Sequence, residues 1–232
     1  MKLHKKLISL TGLALMLSCT SLYAAGESAR DIITNAYKYI GSMDSYAFRA
    51  NVTERVLEKS NKRIVSIKVD RPGKFRVEDK DSLIVVNSYL NNGVFTMFDR
   101  KHKQYAQVKT GKGIDGTLDL LFEEYGIIEP LAQLIYSEMY KRVKFKSIKY
   151  FGTKIVGGVE CDYIAFKNGK VEIHVWVATG DRPLIQAYSI IDLSTEDTSR
   201  VDSTVKWDIN PHISDSDFIF AAPKGTSKVS VK

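Results

Sequence analysis

The chain has 232 residues, of which 44% are hydrophobic, 26% charged and 10% aromatic. That balance excludes a disordered, collagen-like or low-complexity chain and suits one domain, or at most two small ones. Two Cys and four His exclude a disulfide scaffold and a Cys-based zinc site, and the formal charge is +7.

Lys2, Lys5 and Lys6 precede a mostly apolar run, Leu7 to Leu17, and small residues follow to Ala24-Ala25-Gly26. This is the three-part pattern of a secretory signal, and the run is shorter than the roughly 20 residues of a membrane span. Residues 1–24 are read as a cleaved signal and 25–232 as a single periplasmic domain. Leu17-Ser18-Cys19 offers a competing, partial lipoprotein site, so Cys19 is the candidate for a lipid anchor. Losing the signal removes three Lys and no acid, which lowers the charge to +4. Short basic clusters such as Arg100-Lys101-His102-Lys103 read as turns. They make no stripe for nucleic acid, although a weak attraction to an anionic membrane surface fits them.

The mature chain opens on a helix, Ser28 to Ile40. Ser28 and Asp31 have capping-box spacing, Ile32, Ile33, Ala36, Tyr37 and Ile40 form one stripe, and Gly41 ends it. From Tyr46 the period becomes two: Tyr46, Phe48, Ala50 and Val52 share one face of a strand. A Lys59-to-Lys62 turn leads to Ile64–Val69, and Arg71-Pro72-Gly73 to Lys74–Glu78. Leu83–Leu90, Val94–Asp99 and Gln104–Lys109 follow, the first pair joined at Asn91-Asn92-Gly93. Helical spacing then gives Leu118–Tyr125, closed by Gly126, and a second helix opened by Pro130 with Leu131, Leu134, Ile135 and Met139 on its apolar face. Strands resume as Val143–Phe151, Ile155–Val159, Cys161–Lys167, Val171–Ala178, Leu184–Leu193 and Arg200–Asp208. The fold class is mainly β (α+β). It is a strongly curved antiparallel sheet, or incomplete β-barrel, closed by the N-terminal helix and a mid-chain helical lid.

No catalytic motif is present, and no metal or cofactor is expected. His102, His174 and His212 lie far apart in sequence. Alternation puts Val171, Ile173, Val175 and Val177 on one face and His174 with Glu172 and Trp176 on the other. Cys161 reads as a buried strand thiol. The acids around Asp192 to Asp202, and Asp215 with Asp217, read as solvated turns.

The ordered set Arg71-Pro72-Gly73-Lys74-Phe75-Arg76, Pro130-Leu131-Ala132-Gln133-Leu134, Tyr150-Phe151-Gly152, Val156-Gly157-Gly158-Val159, Asp181-Arg182-Pro183-Leu184 and Phe218 to Gly225 carries a likeness. It resembles the LolA/LolB-like lipoprotein-carrier superfamily, in particular its branch of predicted periplasmic proteins. The resemblance implies a half-barrel closed by helices over an apolar cavity. It also implies a monomeric, non-catalytic binding or carrier protein whose partner is a lipid or an acylated lipoprotein. Phe48, Val52, Phe75, Val85, Phe95, Leu121, Leu134 and Trp176 are its candidate cavity residues, and Arg71 or Arg76 the candidate that locks the lid. Read alone, the same apolar residues equally describe a core packed against the helices. The alternative function is an envelope stress sensor or protein-binding scaffold with this fold and no filled cavity.

Overall fold

The computed structural model describes residues 20–80, 85–111, 113–194 and 198–231, with side chains from Ser28 onward. The signal segment up to and including Cys19, the Leu83 start of the expected fourth strand and the Thr195-to-Asp197 turn lie outside the described residues.

The chain runs α1 (Thr20–Ser42), β1 (Ser45–Val56), β2 (Lys59–Asp70), β3 (Lys74–Lys80), β4 (Val86–Asn91), β5 (Val94–Asp99), β6 (Gln104–Lys109) and α2 (Ile114–Tyr125). A 3-10 turn (Ala132–Leu134) and α3 (Met139–Arg142) follow. Then come β7 (Ser147–Val156), β8 (Val159–Asn168), β9 (Val171–Ala178), β10 (Ile185–Asp192) and β11 (Ser199–Asp208), a 3-10 turn (Asp215–Phe218) and β12 (Ser227–Lys228). All twelve described strands form one sheet in the order β12-β6-β5-β4-β3-β2-β1-β11-β10-β9-β8-β7. Pairing is antiparallel throughout, except that β12 lies parallel to β6. The sheet is curved and open, with β12 and β7 as its edges, so it is an incomplete barrel.

Period-two alternation decides the faces. Tyr46, Phe48, Ala50 and Val52 of β1 are buried while Arg49 and Asn51 are exposed. Register carries that face outward through Ile67 and Val69 of β2, Phe75 and Val77 of β3, Leu90 of β4 and Phe95 of β5. On the other side it continues through Val205, Tyr188, Val175 and Ile164. The stripe Ala29, Ile33, Ala36, Tyr37 and Ile40 of α1 packs into it, with Leu118, Leu121, Leu134 and Ile135 of the mid-chain insert. The opposite face over β4 to β6 is covered by the C-terminal segment, where Phe220 packs on Tyr89, Phe98 and Tyr105.

Four local expectations need correction. The first helix runs through Ser28 from Thr20, so Ser28 is not its cap, and it ends at Ser42. The Lys59-to-Lys62 segment is strand, not turn: the chain reverses at Leu57-Glu58, because Val56 pairs with Lys59. That end of the hairpin is largely polar on both faces, so no alternation marks it. The expected strands Val143–Phe151 and Ile155–Val159 merge into one, β7, which begins only at Ser147 and ends at Val156; it is bulged between Tyr150 and Thr153, where Gly152 takes a positive φ of 81°, and Val159 opens β8.

The second insert helix is the fourth. Only a 3-10 turn and four residues of α3 form, because the carbonyls that a helix would use are taken by other groups. Tyr46 Oη donates to Leu134 O at 2.7 Å, and Arg71 Nη2 to Ile135 O at 2.9 Å. Asp115 accepts from the amides of Ser137 at 2.8 Å and Glu138 at 3.2 Å.

Gly41 marks how closely α1 and the insert approach. A Cβ there would lie 2.0 Å from Ser137 O, a backbone atom that cannot simply rotate away. Gly41→Ala is therefore expected to destabilise the fold by about 1–3 kcal/mol, the range of an overpacked contact. Thermal unfolding checks this, and an unchanged midpoint would contradict the contact.

Candidate functional site

The inner face is graded along the strands. Beneath α1 and the insert it is apolar. Two residues further along, the same alternation brings up polar groups: Arg63 after Ile67 and Val65, Asp79 after Phe75 and Val77, Ser88 after Leu90, and Glu54 after Val52. Over this polar end passes the segment Ile127–Pro130, between α2 and the 3-10 turn. Between segment and sheet lies a cleft of about 440 Å³. Val77, Val86, Met97 and Ile127 give it apolar walls; Glu54, Arg63, Asp79, Ser88 and Glu129 give it charge and polarity.

Each polar group has a definite position. Arg63 is shared: its Nη2 donates to Glu54 Oε1 at 2.6 Å and its Nη1 to Asp79 Oδ2 at 2.5 Å. Burial raises the Asp79 carboxyl above its ordinary range, against the opposing pull of Arg63. Glu129 comes from the segment on the other side. It is 4% exposed, and its Oε1 accepts a hydrogen bond from Ser88 Oγ at 2.8 Å. Burial pushes its pKa up to about 7, the Ser88 bond acting in the opposite sense. Glu129 Oε2 and Asp79 Oδ1 have no partner among the described residues. The cleft therefore joins an apolar wall to two carboxyls, Glu129 on the roof and Asp79 on the sheet, that are each incompletely satisfied.

The insert is held on its other side by a clamp. Arg71, in the turn after β2, donates from Nε to Met43 O at 3.2 Å and from Nη2 to both Tyr46 Oη at 3.1 Å and Ile135 O at 2.9 Å. Its guanidinium also lies 5.6 Å from the Tyr46 ring centroid. At about 1 kcal/mol per bond these contacts are weaker than the burial of Leu118, Leu121, Leu134 and Ile135, at about 1.5–3 kcal/mol each. Burial holds the insert down; the clamp fixes where it sits.

Phe48, Val52, Phe75, Phe95, Leu121 and Leu134 come together in one buried core between sheet and helices. They fill that space and do not line the cleft. Val85 is one position out of phase: Val86 faces the cleft, while Val85 precedes the strand and accepts from Arg100 N. Trp176 does not join the core. It lies on the opposite face from Val175 and Val177, stacked on Tyr163 with centroids 4.7 Å apart, because alternation along β9 turns it away. Of the two arginines, Arg71 reaches the insert. Arg76 faces the other side, bonded to Asp217 O and Glu78.

His174 sits with Tyr163 Oη at 2.7 Å and Glu172 Oε1 at 2.9 Å, on the same face as Trp176. His102 pairs with Asp99 in its turn. Cys161 is buried, and burial pushes its thiol up to about 11, which keeps it protonated and unreactive at neutral pH. Of the acids read as solvated, Asp217 pairs with Lys68 at 2.6 Å, Asp202 with Arg55 and Arg200, and the exposed Asp215 with Lys74 at 2.6 Å, while Asp192 accepts from Ser194 N in its turn. Among the described residues no group of three or more His, Cys, Asp or Glu could hold a metal ion.

The sequence reading passed over Glu129, Arg63, Asp79 and Ser88. The signal was there for three of them. Continuing the period of two past Val77, Val65 and Leu90 places Asp79, Arg63 and Ser88 inward. Glu129 stood out as one acid in Ile127-Ile128-Glu129-Pro130-Leu131.

The family profile described as "Predicted periplasmic protein (DUF2092)" matches residues 29–232. No curated protein is similar to the chain in sequence. Among solved structures, an uncharacterized conserved protein from Thermus thermophilus superposes with a TM-score of 0.53 at 11% identity, covering 88% of this chain and 99% of its own. That likeness shows a shared fold. The Mycobacterium tuberculosis lipoprotein LppX gives 0.45 at 12% identity, covering 80% of this chain and 97% of its own. The LolA superfamily protein NE2245 from Nitrosomonas europaea gives 0.38 at 8% identity, covering 83% and 97%.

The raised Glu129 pKa has a stability consequence of defined sign. The fold favours the protonated carboxyl, so stability is highest below the unfolded value near 4.5 and falls as pH rises through about 7. The loss totals about 3 kcal/mol at 1.36 kcal/mol per unit. Glu129→Gln is expected to flatten this part of the profile. Urea unfolding between pH 5 and 8 measures it; parallel profiles for both proteins would contradict the assignment.

Proposed function

The chain is a member of the DUF2092 family of predicted periplasmic proteins, and we propose that it is a non-catalytic periplasmic binding protein that takes a lipid, or the acyl chain of a lipoprotein, into the cleft beneath its mid-chain insert. The observation that carries this reading is the cleft itself. Its apolar wall is continuous with the core through Val77 and Met97, and its roof is an irregular segment rather than a packed helix.

The energetics permit an exchange. Lifting the insert exposes Leu118, Leu121, Leu134 and Ile135. At about 2 kcal/mol per side chain and about 0.8 kcal/mol per methylene, a chain of roughly ten methylenes replaces what is lost. Arg71 is the natural latch of this motion, since it joins the turn after β2 to the insert at Ile135. The exposed Phe122, Tyr125 and Ile128 on the insert would then meet a membrane or a partner.

That same exposed group favours a second reading, a scaffold or sensor that binds protein through the insert and admits no ligand. The two readings separate in one assay. A fluorescent apolar probe is expected to bind the folded protein saturably and to be displaced by long-chain lipid. Met97→Trp, which fills the cleft from β5, is expected to weaken it by about tenfold or more, the equivalent of about two methylenes. Unsaturable binding, or none, favours the scaffold.

Arg71→Met keeps the aliphatic stem and removes the clamp. Amide exchange of the insert, residues 127–142, is expected to accelerate by about tenfold for each ~1.4 kcal/mol of bonding lost. Unchanged exchange in the variant would rule out Arg71 as the latch.

A further inference from the structure

The carboxyls that line the cleft outnumber the cations that line it. Among the described residues its lining holds one cation, Arg63, and three carboxyls, Glu54, Asp79 and Glu129. Arg63 is already divided between the first two, with its buried Nε left unpartnered among the described residues, and Arg100, outside the lining, places a second positive charge near Asp79 and donates to the Asp79 carbonyl at 3.3 Å. Glu129 faces them from the roof with only the Ser88 hydroxyl as partner among the described residues. Two oxygens, Glu129 Oε2 and Asp79 Oδ1, have no hydrogen-bond partner there either. Both side chains belong to residues more than nine-tenths buried, 4% and 5% exposed. Unsatisfied carboxyl oxygens at such depth are uncommon unless something else completes them. Val77, Val86, Met97 and Ile127 add hydrocarbon to the lining.

We propose that the cleft selects an amphiphile with a cationic ammonium head group, whose N–H donors take the free oxygens of Glu129 and Asp79 while its hydrocarbon part lies along Val77, Met97 and Ile127. The inference rests on the reading of the cleft as a site for an apolar ligand and adds the head group to it. An anionic head group would meet three carboxyls and find a single free guanidinium donor, the Nε of an Arg63 whose two Nη groups are already taken. A neutral hydroxyl would fill one lone pair and leave Glu129 holding its proton, with no charge gained. A primary ammonium supplies three donors and one positive charge. The binding step is balanced: the ammonium arrives charged, Glu129 releases its proton to solvent, and the pair is left as ammonium and carboxylate beside the Arg63, Glu54 and Asp79 group.

Displacement of the apolar probe by three ligands of one chain length tests this: dodecylamine, dodecanol and dodecanoate, each below its micelle concentration, with the full mature chain. The amine is expected to bind tightest. Glu129→Gln and Asp79→Asn are each expected to weaken it by about tenfold, the factor of one charge-assisted hydrogen bond, and to leave the alcohol unchanged. Where a variant fails to fold, the wild type decides. Its affinity for the amine should rise from pH 6 to pH 8, as Glu129 ionises more readily, while that for the alcohol stays level. An ethanolamine lysophospholipid displacing better than its glycerol counterpart identifies the head group as lipid-borne; discrimination confined to dodecylamine identifies a free amine. Alcohol or carboxylate matching the amine overturns the head-group inference and leaves the apolar site standing. Failure of all three to displace the probe overturns both.

Discussion

An open sheet of twelve strands has two faces, and one of them here is a continuous apolar surface from Phe95 across to Phe166 that must be kept from water. The sheet does not close on itself, so other parts of the chain must cover it. The N-terminal helix lays its stripe of Ile33, Tyr37 and Ile40 over one part, and the insert between β6 and β7 lays Leu118, Leu121, Leu134 and Ile135 over another. The rest of the architecture serves that cover. Gly41 allows α1 to touch the insert backbone, Asp115 and Tyr46 take up its amides and carbonyls, and Arg71 ties it to the turn after β2.

A cover of this kind is separable in a way that a closed barrel is not. Among the described residues the insert contributes no strand to the sheet; a handful of side-chain contacts hold its middle, and backbone bonds fix its two ends, Thr110 N to Gly93 O, Ile114 N to Pro72 O and Lys146 N to Lys167 O. Where the cover ends, the inner face changes character within a few residues, from Ile67 to Arg63 and from Phe75 to Asp79. Apolar surface and unsatisfied carboxyl thus meet at one place, beneath Glu129. Burial of Glu129 couples the roof of the cleft to pH near neutrality, because its ionisation and the fit of the roof onto the sheet are not independent.

Much of the frame was legible in the sequence. Val94–Asp99, Gln104–Lys109 and Val171–Ala178 were bounded correctly because turns flank them and alternation fills them. The helical stripe of α1 was visible through its spacing, and the side of β9 that carries His174 and Trp176 followed from period two. The insert was not legible in the same way. Pro130, Leu131, Leu134 and Ile135 have helical spacing, yet the carbonyls of Leu134 and Ile135 bond to Tyr46 and Arg71, 88 and 64 residues away, and no local pattern encodes that. For the same reason six of the eight apolar candidates lie in the core, while the polar groups of the cleft are ones that hydropathy treats as surface. Arg63 and Asp79 look like solvated strand residues until the register brings them together 2.5 Å apart.

The proposed function requires an apolar ligand beneath the insert. Native mass spectrometry of the mature protein, isolated gently without detergent and then extracted with organic solvent, tests it most directly. Discrete adducts of lipid mass, removed by solvent and restored by added lipid of the same class, are expected. A bare protein mass that stays bare when phospholipid or acyl peptide is added would contradict it.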